Sequence, residues 1–412
     1  MKAKLFALVC LLALVFGAHW AAHSSVAASG SDGFLDDEIV VGLQPGVDVA
    51  VINARYGSWV IETLAGTNSY RLGFPSGTDE SGVLAAMLVD RDILFAGTNN
   101  QFKPAEVRQS SAAYLDQSSA AYLDGQSPVS FFGQPALNRI NVSAAQNLTN
   151  RGLGVRVAVI DTGIDFNHPL FAGRIASTGW DFVDNDGLPN DEPGGPGYGH
   201  GTFVAGLISL IAPNATIIPL RVFDANGQAT SFNIAKALRY AADQNAQVIN
   251  LSFGLLSRDA FVDDALSYAY AKSYMVASAG NDNQNFIHYP AVNKSKTLSV
   301  TSVTNDDTKA SFANYNQNLY ASAPGVNVYS AYPGNRWAWW SGTSFSTALV
   351  SGEAVLCLSV NPKASRTKMN DYIVSSGLDI GSLNPLYSGK LGKRVDFLGA
   401  VNRSLKDGPK IR

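Results

Sequence analysis

The sequence predicts two folded regions, of which the larger is an α/β domain with a doubly wound parallel sheet and helices on both faces. Three observations support this prediction. From about Gln134 onward, short apolar segments of strand length alternate with longer segments of helical periodicity. The chain has 412 residues, enough for a sizeable core, and 46% of them are hydrophobic whereas 15% are charged. Strands that alternate with helices form crossover connections, which cover both faces of a parallel sheet.

The predicted strands of the large domain are short and apolar. They cover Arg156–Ile160, Ile217–Val222, Val248–Ser252, Met275–Ala279 and Leu298–Ser302, and two of the helices between them cover Phe232–Gln244 and Asp259–Lys272. We expect this domain to span residues 134–405, with a tail at 406–412. In such sheets ligands bind at the carboxyl ends of the strands, so candidate site residues are sought there.

The preceding region predicts a small α+β domain over residues 36–100. Its elements are strands at Glu38–Gln44, Trp59–Leu64, Ser69–Phe74 and Ile93–Ala96, and helices at Val49–Tyr56 and Glu80–Val89. The order β-α-β-β-α-β is the split βαβ, ferredoxin-like arrangement. The region contains no His or Cys, so we expect it to bind something rather than to carry out chemistry.

The first 28 residues have the three-part form of a secretory signal, with Lys2 and Lys4 before an apolar run from Leu5 to Phe16 and small residues after it. We expect its removal, export of the chain, and an extracellular or periplasmic location. An uncleaved anchor is the alternative, although the run is shorter than the about 20 residues that span a membrane.

A linker is predicted over residues 101–133, because it contains an octapeptide that occurs twice in tandem, at Gln109–Asp116 and Gln117–Asp124. Two copies are too few for a solenoid, so we interpret the repeat as a lengthened connection that is open to proteolysis.

Composition excludes some function classes. The net charge is -3 and there is no long basic run, which argues against nucleic acid as a partner. Removal of the signal takes Cys10 with it, so the mature chain has no internal disulfide. The remaining Cys357 lies in an apolar helical pattern and is predicted to be a buried thiol rather than a nucleophile.

The most informative segment is Gly342-Thr-Ser344, where a run of small residues becomes an apolar helical pattern that continues to about Val360. A serine at a helix N-terminus has unpaired backbone N–H groups and the positive end of the helix dipole beside its hydroxyl, which is half of an oxyanion hole. The alternative is an ordinary N-cap made by Thr343 or Ser344.

Three further residues are expected near the carboxyl ends of the strands, where parallel sheets form their ligand sites. Asp161 ends a strand, His200 opens a helix, and Asn281 follows the strand that begins near Met275. With Ser344 they supply a nucleophile, a base, a group that orients the base, and an amide that donates to an oxyanion.

Each residue also has an alternative interpretation. Asp161-Thr-Gly163 could be half of an aspartic-protease pair, but the sequence has no second Asp-Thr-Gly or Asp-Ser-Gly. His168 and His288 are the other histidines that remain after the signal, and neither has the helix-opening glycine context of His200. Asn281 alone would be a turn residue.

Taken together, the motifs resemble those of the subtilisin-like serine proteases, the subtilases of peptidase family S8. The order is Asp161-Thr-Gly, Gly199-His-Gly-Thr, Gly280-Asn281 and Gly342-Thr-Ser344. The likeness covers about Gln134 to Leu405. An α/β-hydrolase would instead run Ser, Asp, His around a Gly-x-Ser-x-Gly motif.

The resemblance implies a secreted serine endopeptidase in which Ser344 attacks the peptide carbonyl, His200 moves the proton, Asp161 orients His200, and Asn281 stabilises the oxyanion. The implied substrate-binding residues are Leu251, Ser252, Gly254, Ser278 and Gly280. Because they lack charge and most are small, we expect large apolar or aromatic side chains before the scissile bond. A catalytically silent binding protein and an esterase are the alternatives.

The small N-terminal domain resembles the family's inhibitory propeptide, which implies a zymogen. We expect the chain to cleave itself between Asn99 and Ser130, and the released domain to act as an intramolecular inhibitor. The other expected partners are protein and peptide substrates. We expect neither nucleic acid nor, after signal removal, a membrane as a partner, and a monomeric protein.

No cofactor is required by this chemistry. After the His200 helix the chain lacks the longer loop that holds calcium in some members of the family, so that site is not carried over. An acidic loop before His200 could supply oxygen ligands for calcium, but a solvated loop is the preferred interpretation and we assign no metal ligands. Its carboxylates are Asp181, Asp184, Asp186, Asp191 and Glu192.

Overall fold

The computed structural model describes residues 34–104, 121–123 and 128–409. The predicted signal at 1–28 and most of the tandem repeat lie outside these residues. We refer to residues 34–104 as the N-terminal unit and to residues 128–409 as the large unit.

The N-terminal unit has the predicted order of elements. These are β1 (Phe34–Leu43), α1 (Val49–Tyr56), β2 (Trp59–Leu64), β3 (Ser69–Gly73), α2 (Glu80–Leu88) and β4 (Ile93–Pro104). The strands are arranged β4-β1-β3-β2, and β3 pairs antiparallel with both β1 and β2. Apolar side chains, including Ile39, Val41, Ile52, Leu72 and Met87, form its core.

After β5 (Tyr122–Leu123), the large unit begins with three short helices. Its elements are α3 (Val129–Gly133), α4 (Pro135–Arg139), α5 (Val142–Asn147), β6 (Arg156–Asp161), β7 (Trp180–Asp181), α6 (His200–Ile211), β8 (Thr216–Arg221), β9 (Ala229–Thr230), α7 (Ser231–Asp243), β10 (Val248–Leu251), β11 (Phe253–Gly254), α8 (Ala260–Tyr270), β12 (Tyr274–Ser278), β13 (Thr297–Val303), β14 (Ala321–Pro324), β15 (Val328–Tyr332), β16 (Arg336–Trp340), α9 (Thr343–Val360), α10 (Arg366–Ser376), β17 (Lys393–Arg394) and α11 (Phe397–Asp407).

The main sheet of the large unit has eight strands in the order β17-β14-β13-β12-β10-β6-β8-β7, and every pair is parallel. The predicted fold class is therefore confirmed. From β6 the chain passes to β8 on one side and then to β10 on the other side. The carboxyl ends of β6 and β10 thus diverge at a switch point, where α/β sheets form their ligand crevices.

Side chains of β6 alternate between two cores. Val157 and Val159 pack with α6 and α9 on one face, whereas Ala158 and Ile160 pack with α7 and α8 on the other. Because both faces are covered, the strand is apolar throughout rather than alternating in polarity. Helix α9 is apolar and long enough to cross a membrane, yet 89% of its residues are buried inside the protein. Cys357 is among the buried side chains, as predicted.

Strand β4 extends beyond the predicted end at Ala96 because its second half pairs outside its own sheet. Gln101 and Phe102 pair antiparallel with β9, and Lys103 and Pro104 pair antiparallel with β11. Hydrogen bonds to strands far along the sequence therefore order residues that a local pattern assigns to a linker.

The predicted linker at 101–133 is also ordered at its other end. Residues 129–133 form α3, and Phe131 is fully buried with its ring centroid 4.7 Å from that of Trp337. Both ends of the predicted linker therefore contact the large unit, and its role as a connection stays a prediction.

Candidate active site

Asp161 lies at the carboxyl end of β6 and is only 1% exposed. Its Oδ1 accepts hydrogen bonds from the Thr162 N–H at 2.8 Å and from His200 Nδ1 at 2.7 Å. A carboxylate can only accept, so this contact assigns the proton to Nδ1 and leaves Nε2 as the basic nitrogen of neutral His200.

The first turn of α6 holds His200 tightly against the turn after β6. Gly199 has φ of 89°, a left-handed conformation, and a Cβ there would lie 2.4 Å from the Tyr332 ring. A Cβ on Gly201 would lie 2.2 Å from the carbonyl oxygen of Gly163, and the Gly201 N–H donates to Thr162 Oγ1 at 2.9 Å. Gly201 is thus required by the close approach of the two motifs, and Gly199 by its left-handed backbone and the Tyr332 ring.

Ser344 is the second residue of α9, and it is fully buried. The N-cap is Gly342 without a side-chain cap, so the alternative of a Thr343 or Ser344 cap is wrong. Instead Ser344 Oγ donates to the Ser252 carbonyl at 2.8 Å. The ring of His200 packs against Phe345, which directly follows this serine, and against Trp340, four residues before it, with centroid distances of 5.7 Å and 5.9 Å. Aspartate, histidine and serine therefore converge at one end of the sheet.

The side-chain amide of Asn281 is oriented by the same helix N-terminus. Its Oδ1 accepts from the Thr343 N–H at 3.0 Å, and the residue is 4% exposed. With the oxygen fixed in this way, the amide nitrogen is directed to the other side, where its two N–H groups can donate. This is the orientation that an oxyanion-binding amide needs.

Three of the five predicted substrate-binding residues lie in or beside β10 and β11, and the other two lie in or beside β12. The side chain of Leu251 lies in the core between β10 and the helices, so the predicted contact of this residue with a substrate concerns its backbone alone. Ser252 donates to the Ser344 carbonyl at 3.0 Å, and Gly254 belongs to the β11 edge that pairs with β4. Ser278 and Gly280 follow on the neighbouring β12 and its exit turn.

The acidic loop has exposed and buried carboxylates, so the preferred interpretation of a solvated loop holds for Asp184, Asp186 and Glu192 but not for Asp181 and Asp191. Three of the carboxylates lie against the guanidinium of Arg221, which is 2% exposed and lies 2.6 Å from Asp181, 2.5 Å from Asp184 and 2.8 Å from Glu192. Within residues 34–104, 121–123 and 128–409, no group of three or more His, Cys, Asp and Glu side chains could hold a metal ion. The sequence signal that could have shown this is the arginine at the end of the apolar segment Thr216–Arg221.

Asp191, the remaining buried carboxylate of this loop, has a different role. It accepts from the backbone N–H groups of Gly199 and Thr202 and from the hydroxyls of Thr162 and Thr202. Burial raises its pKa to about 7, in opposition to these hydrogen bonds, which lower it. Through these hydrogen bonds, Asp191 connects the start of the His200 helix to the turn after Asp161.

The two other described histidines have structural surroundings. His168 Nε2 lies 3.0 Å from the Arg336 carbonyl, and burial lowers the pKa of this histidine. His288 is fully buried, with Nε2 against the carboxylate of Asp282. Of the three histidines, only His200 contacts Asp161.

Comparisons with known proteins agree with this architecture. The model of the subtilase family matches residues 152–393. Thermitase from Thermoactinomyces vulgaris is 39% identical over 228 residues, which are 53% of this chain and 79% of that protein. The thermophilic serine proteinase of Bacillus sp. strain AK1 is 40% identical over 226 residues, which are 52% of this chain and 55% of that protein.

A solved structure extends the likeness in fold. Fervidolysin from Fervidobacterium pennivorans, described as a keratinolytic enzyme related to subtilisin, superposes with a TM-score of 0.73 over 91% of this chain and 62% of its own. The sequence identity is 20%, so this likeness concerns the fold alone.

Proposed function

Since the chain belongs to the subtilase family, we propose that it is a serine endopeptidase that hydrolyses peptide bonds with Asp161, His200 and Ser344. The observation that carries the proposal is the buried contact of 2.7 Å between Asp161 and His200, beside a serine at the N-terminus of α9. No residue outside this arrangement is needed to supply a nucleophile, a base and an oriented amide.

In the proposed reaction, Ser344 Oγ attacks the peptide carbonyl while His200 Nε2 takes its proton. The tetrahedral oxyanion accepts hydrogen bonds from the Ser344 N–H and from the Asn281 amide. Collapse of the tetrahedral intermediate breaks the C–N bond, and His200 returns the proton to the leaving amine. Water then attacks the acyl-enzyme, again with His200 as the base, and releases the acid and Ser344. Asp161 holds the imidazole in one tautomer throughout.

We also propose that the N-terminal unit is an inhibitory propeptide. Its support is the pairing of β4 with β9 and β11, because an extended peptide substrate would add to the same edges. Lys103 lies opposite Gly254, and Pro104 lies opposite Phe253. The large-unit residue that comes next towards the nucleophile is Ser252, whose carbonyl accepts from Ser344. We infer that the cleaved bond is Ala105–Glu106, within the range expected from the sequence.

The remaining parts of the proposal follow from the family and the sequence. The substrates are proteins and peptides, the chain acts without a cofactor as a monomer, and the segment 1–28 directs it to an extracellular or periplasmic location.

Expression of the wild type beside Ser344→Ala tests these proposals together. The wild type should react with a fluorophosphonate probe, hydrolyse casein, and yield a large fragment whose N-terminal residue is Glu106. The Ser344→Ala chain should stay unlabelled and keep the N-terminal unit covalently attached.

Other outcomes would identify the alternatives. A folded wild type that the probe does not label would indicate a silent binding protein. Hydrolysis of small esters without cleavage of casein would indicate an esterase. Full-length active wild type would contradict self-processing while leaving the peptidase proposal standing.

A further inference from the structure

The imidazole of His288 lies between two glycines of the predicted substrate-binding set. A Cβ built on Gly254 would lie 2.6 Å from His288 Cβ, and one built on Gly280 would lie 2.8 Å from His288 Cδ2 and Cε1. These distances are well inside van der Waals contact, so the ring packs directly on both backbones. The volume that two glycines would leave for a ligand is therefore filled by a side chain of the protein itself.

This position is the one that a substrate side chain must approach. In the proposed reaction the scissile carbonyl lies between Ser344 and Asn281, and Gly280 directly precedes Asn281. Gly254 belongs to the edge strand that pairs with β4. The side chain before the scissile bond therefore extends past Gly280 towards His288.

Several contacts fix the His288 ring, which is fully buried. Its backbone N–H donates to the Ala279 carbonyl at 3.0 Å, and its Nε2 lies against the Asp282 carboxylate. Asn314 holds that carboxylate in turn, because Asn314 Nδ2 donates to Asp282 Oδ2 at 3.2 Å and Asn314 Oδ1 accepts from the Asp282 N–H at 2.9 Å. Moving the ring aside would take the fully buried imidazole out of its packing against two backbones and away from the Asp282 carboxylate, which is 36% exposed.

We propose that His288 determines the specificity of this site by closing the floor of the pocket that receives the side chain before the scissile bond. The preferred side chains are then small ones, such as those of glycine, alanine and serine. The inference rests on the proposed peptidase function, and it replaces our expectation of large apolar or aromatic residues. The residue that follows Pro104 in the sequence, Ala105, agrees with it.

Two peptides that differ only in alanine or phenylalanine before the scissile bond test the proposal on the self-processed wild type and on His288→Gly and His288→Phe. The wild type should favour alanine in kcat/KM by about tenfold or more, the range that a change of side-chain size produces in a pocket of fixed shape. His288→Gly should raise kcat/KM for the phenylalanine peptide by a similar factor. His288→Phe, which keeps the volume of the ring, should retain the preference for alanine.

Rates are expressed per fluorophosphonate-labelled site, so that loss of folded protein is not read as loss of preference. If His288→Gly does not fold, the wild type and His288→Phe still test the inference, because both are expected to prefer the alanine peptide. A wild type that cleaves the phenylalanine peptide as well as the alanine peptide would overturn the inference and leave the peptidase function intact. If His288→Phe cleaved the phenylalanine peptide as well as the alanine peptide, the proposal that the volume of residue 288 closes the pocket would be wrong. Labelled enzyme that cleaves neither peptide nor casein would contradict the proposed function, and the inference with it.

Discussion

The large unit buries charged groups within its interior, whereas the N-terminal unit keeps its charges at or near the surface. Arg221 is 2% exposed, and the side chain of Asp181, which pairs with it, is also 2% exposed. In the described part of the N-terminal unit the buried polar side chains are Ser69 and Asn99, both uncharged. Its ion pairs are more open, as in Arg55, whose side chain is 38% exposed beside Asp90 and Asp92.

The contrast shows which unit holds the partners of its charged side chains in fixed positions. A buried charge is tolerated only where surrounding groups hold its partners in place, because desolvation has to be offset by fixed hydrogen bonds and ion pairs. The large unit meets that condition around its candidate site. The N-terminal unit instead meets the large unit through a partly exposed ion pair and strand pairing, and such contacts are compatible with the release that we propose.

The largest expected effect comes from the buried guanidinium of the large unit. Arg221→Met leaves the carboxylate of Asp181, itself buried, without its cation. Removal of one partner of a buried ion pair costs about 3–5 kcal/mol of unfolding free energy. Urea unfolding of the variant in the Ser344→Ala background, which prevents self-cleavage, should show this loss.

The matched control for Arg221 is Arg55→Gln in the N-terminal unit, which also removes an arginine from two carboxylates. Because Arg55 is 38% exposed, although Asp90 beside it is 7% exposed, its loss should lower the urea midpoint much less than Arg221→Met does. Equal effects of the two substitutions would contradict the contrast between the units.

The next effect concerns a buried neutral group of the large unit. Asn281→Ala removes the amide that the Thr343 N–H orients, and should lower kcat by about 10²–10³, a magnitude known from subtilisin itself. KM should change little, because the lost hydrogen bond forms in the transition state. A variant that raised KM at constant kcat would place Asn281 in ground-state binding instead.

Glu353 predicts a pH dependence of stability. Its two carboxylate oxygens are buried and have no hydrogen-bond partner within the described residues, and burial raises its pKa well above the ordinary value. The folded state thus binds this proton more tightly than the unfolded state does. The stabilisation is complete below the unfolded pKa of about 4.3 and is lost progressively as the pH rises above it.

We therefore expect Glu353→Gln to flatten the dependence of the urea midpoint on pH above about pH 4.3, where the stabilisation by the bound proton is otherwise lost. Asp379→Asn, at an exposed carboxylate, is the control and should leave the wild-type profile unaltered. A profile unchanged by Glu353→Gln would mean that the carboxyl finds a partner when it ionises.

The smallest expected effect lies at the contact of the two units, where Lys236 Nζ is 2.6 Å from Glu62 Oε1. Both side chains are partly exposed, so the pair should contribute about 1 kcal/mol or less to retention of the cleaved N-terminal unit. Glu62→Gln should release the unit up to about fivefold faster, as the rise of casein hydrolysis reports. Added salt should accelerate the wild type more than the variant.

A double-mutant cycle with Lys236→Met separates this pair from the other contacts of the interface. Additive effects of Glu62→Gln and Lys236→Met on the release rate would show that the two charges do not interact.

Sequence patterns predicted both sheets and the contact between Asp161 and His200, because these follow from periodicity and from short motifs at strand ends. Three features were missed. Arg221 ends an apolar strand pattern, which is a signal for a buried ion pair, but its partner Asp181 is distant in the chain. His288 is a single residue whose importance depends on Gly254 and Gly280. The length of β4 depends on edges that only the folded large unit provides.

Strand β4 belongs to the sheet of one unit and to the edges of the other, and this shared membership has a consequence for quality control. The pairing of residues 101–104 forms only when the edges of β9 and β11 are in place, which requires both units to have folded. The self-cleavage that we propose would then work as a proofreading step, in which only a completely folded molecule cuts its own chain. Under that proposal, a misfolded molecule would stay uncut and inactive.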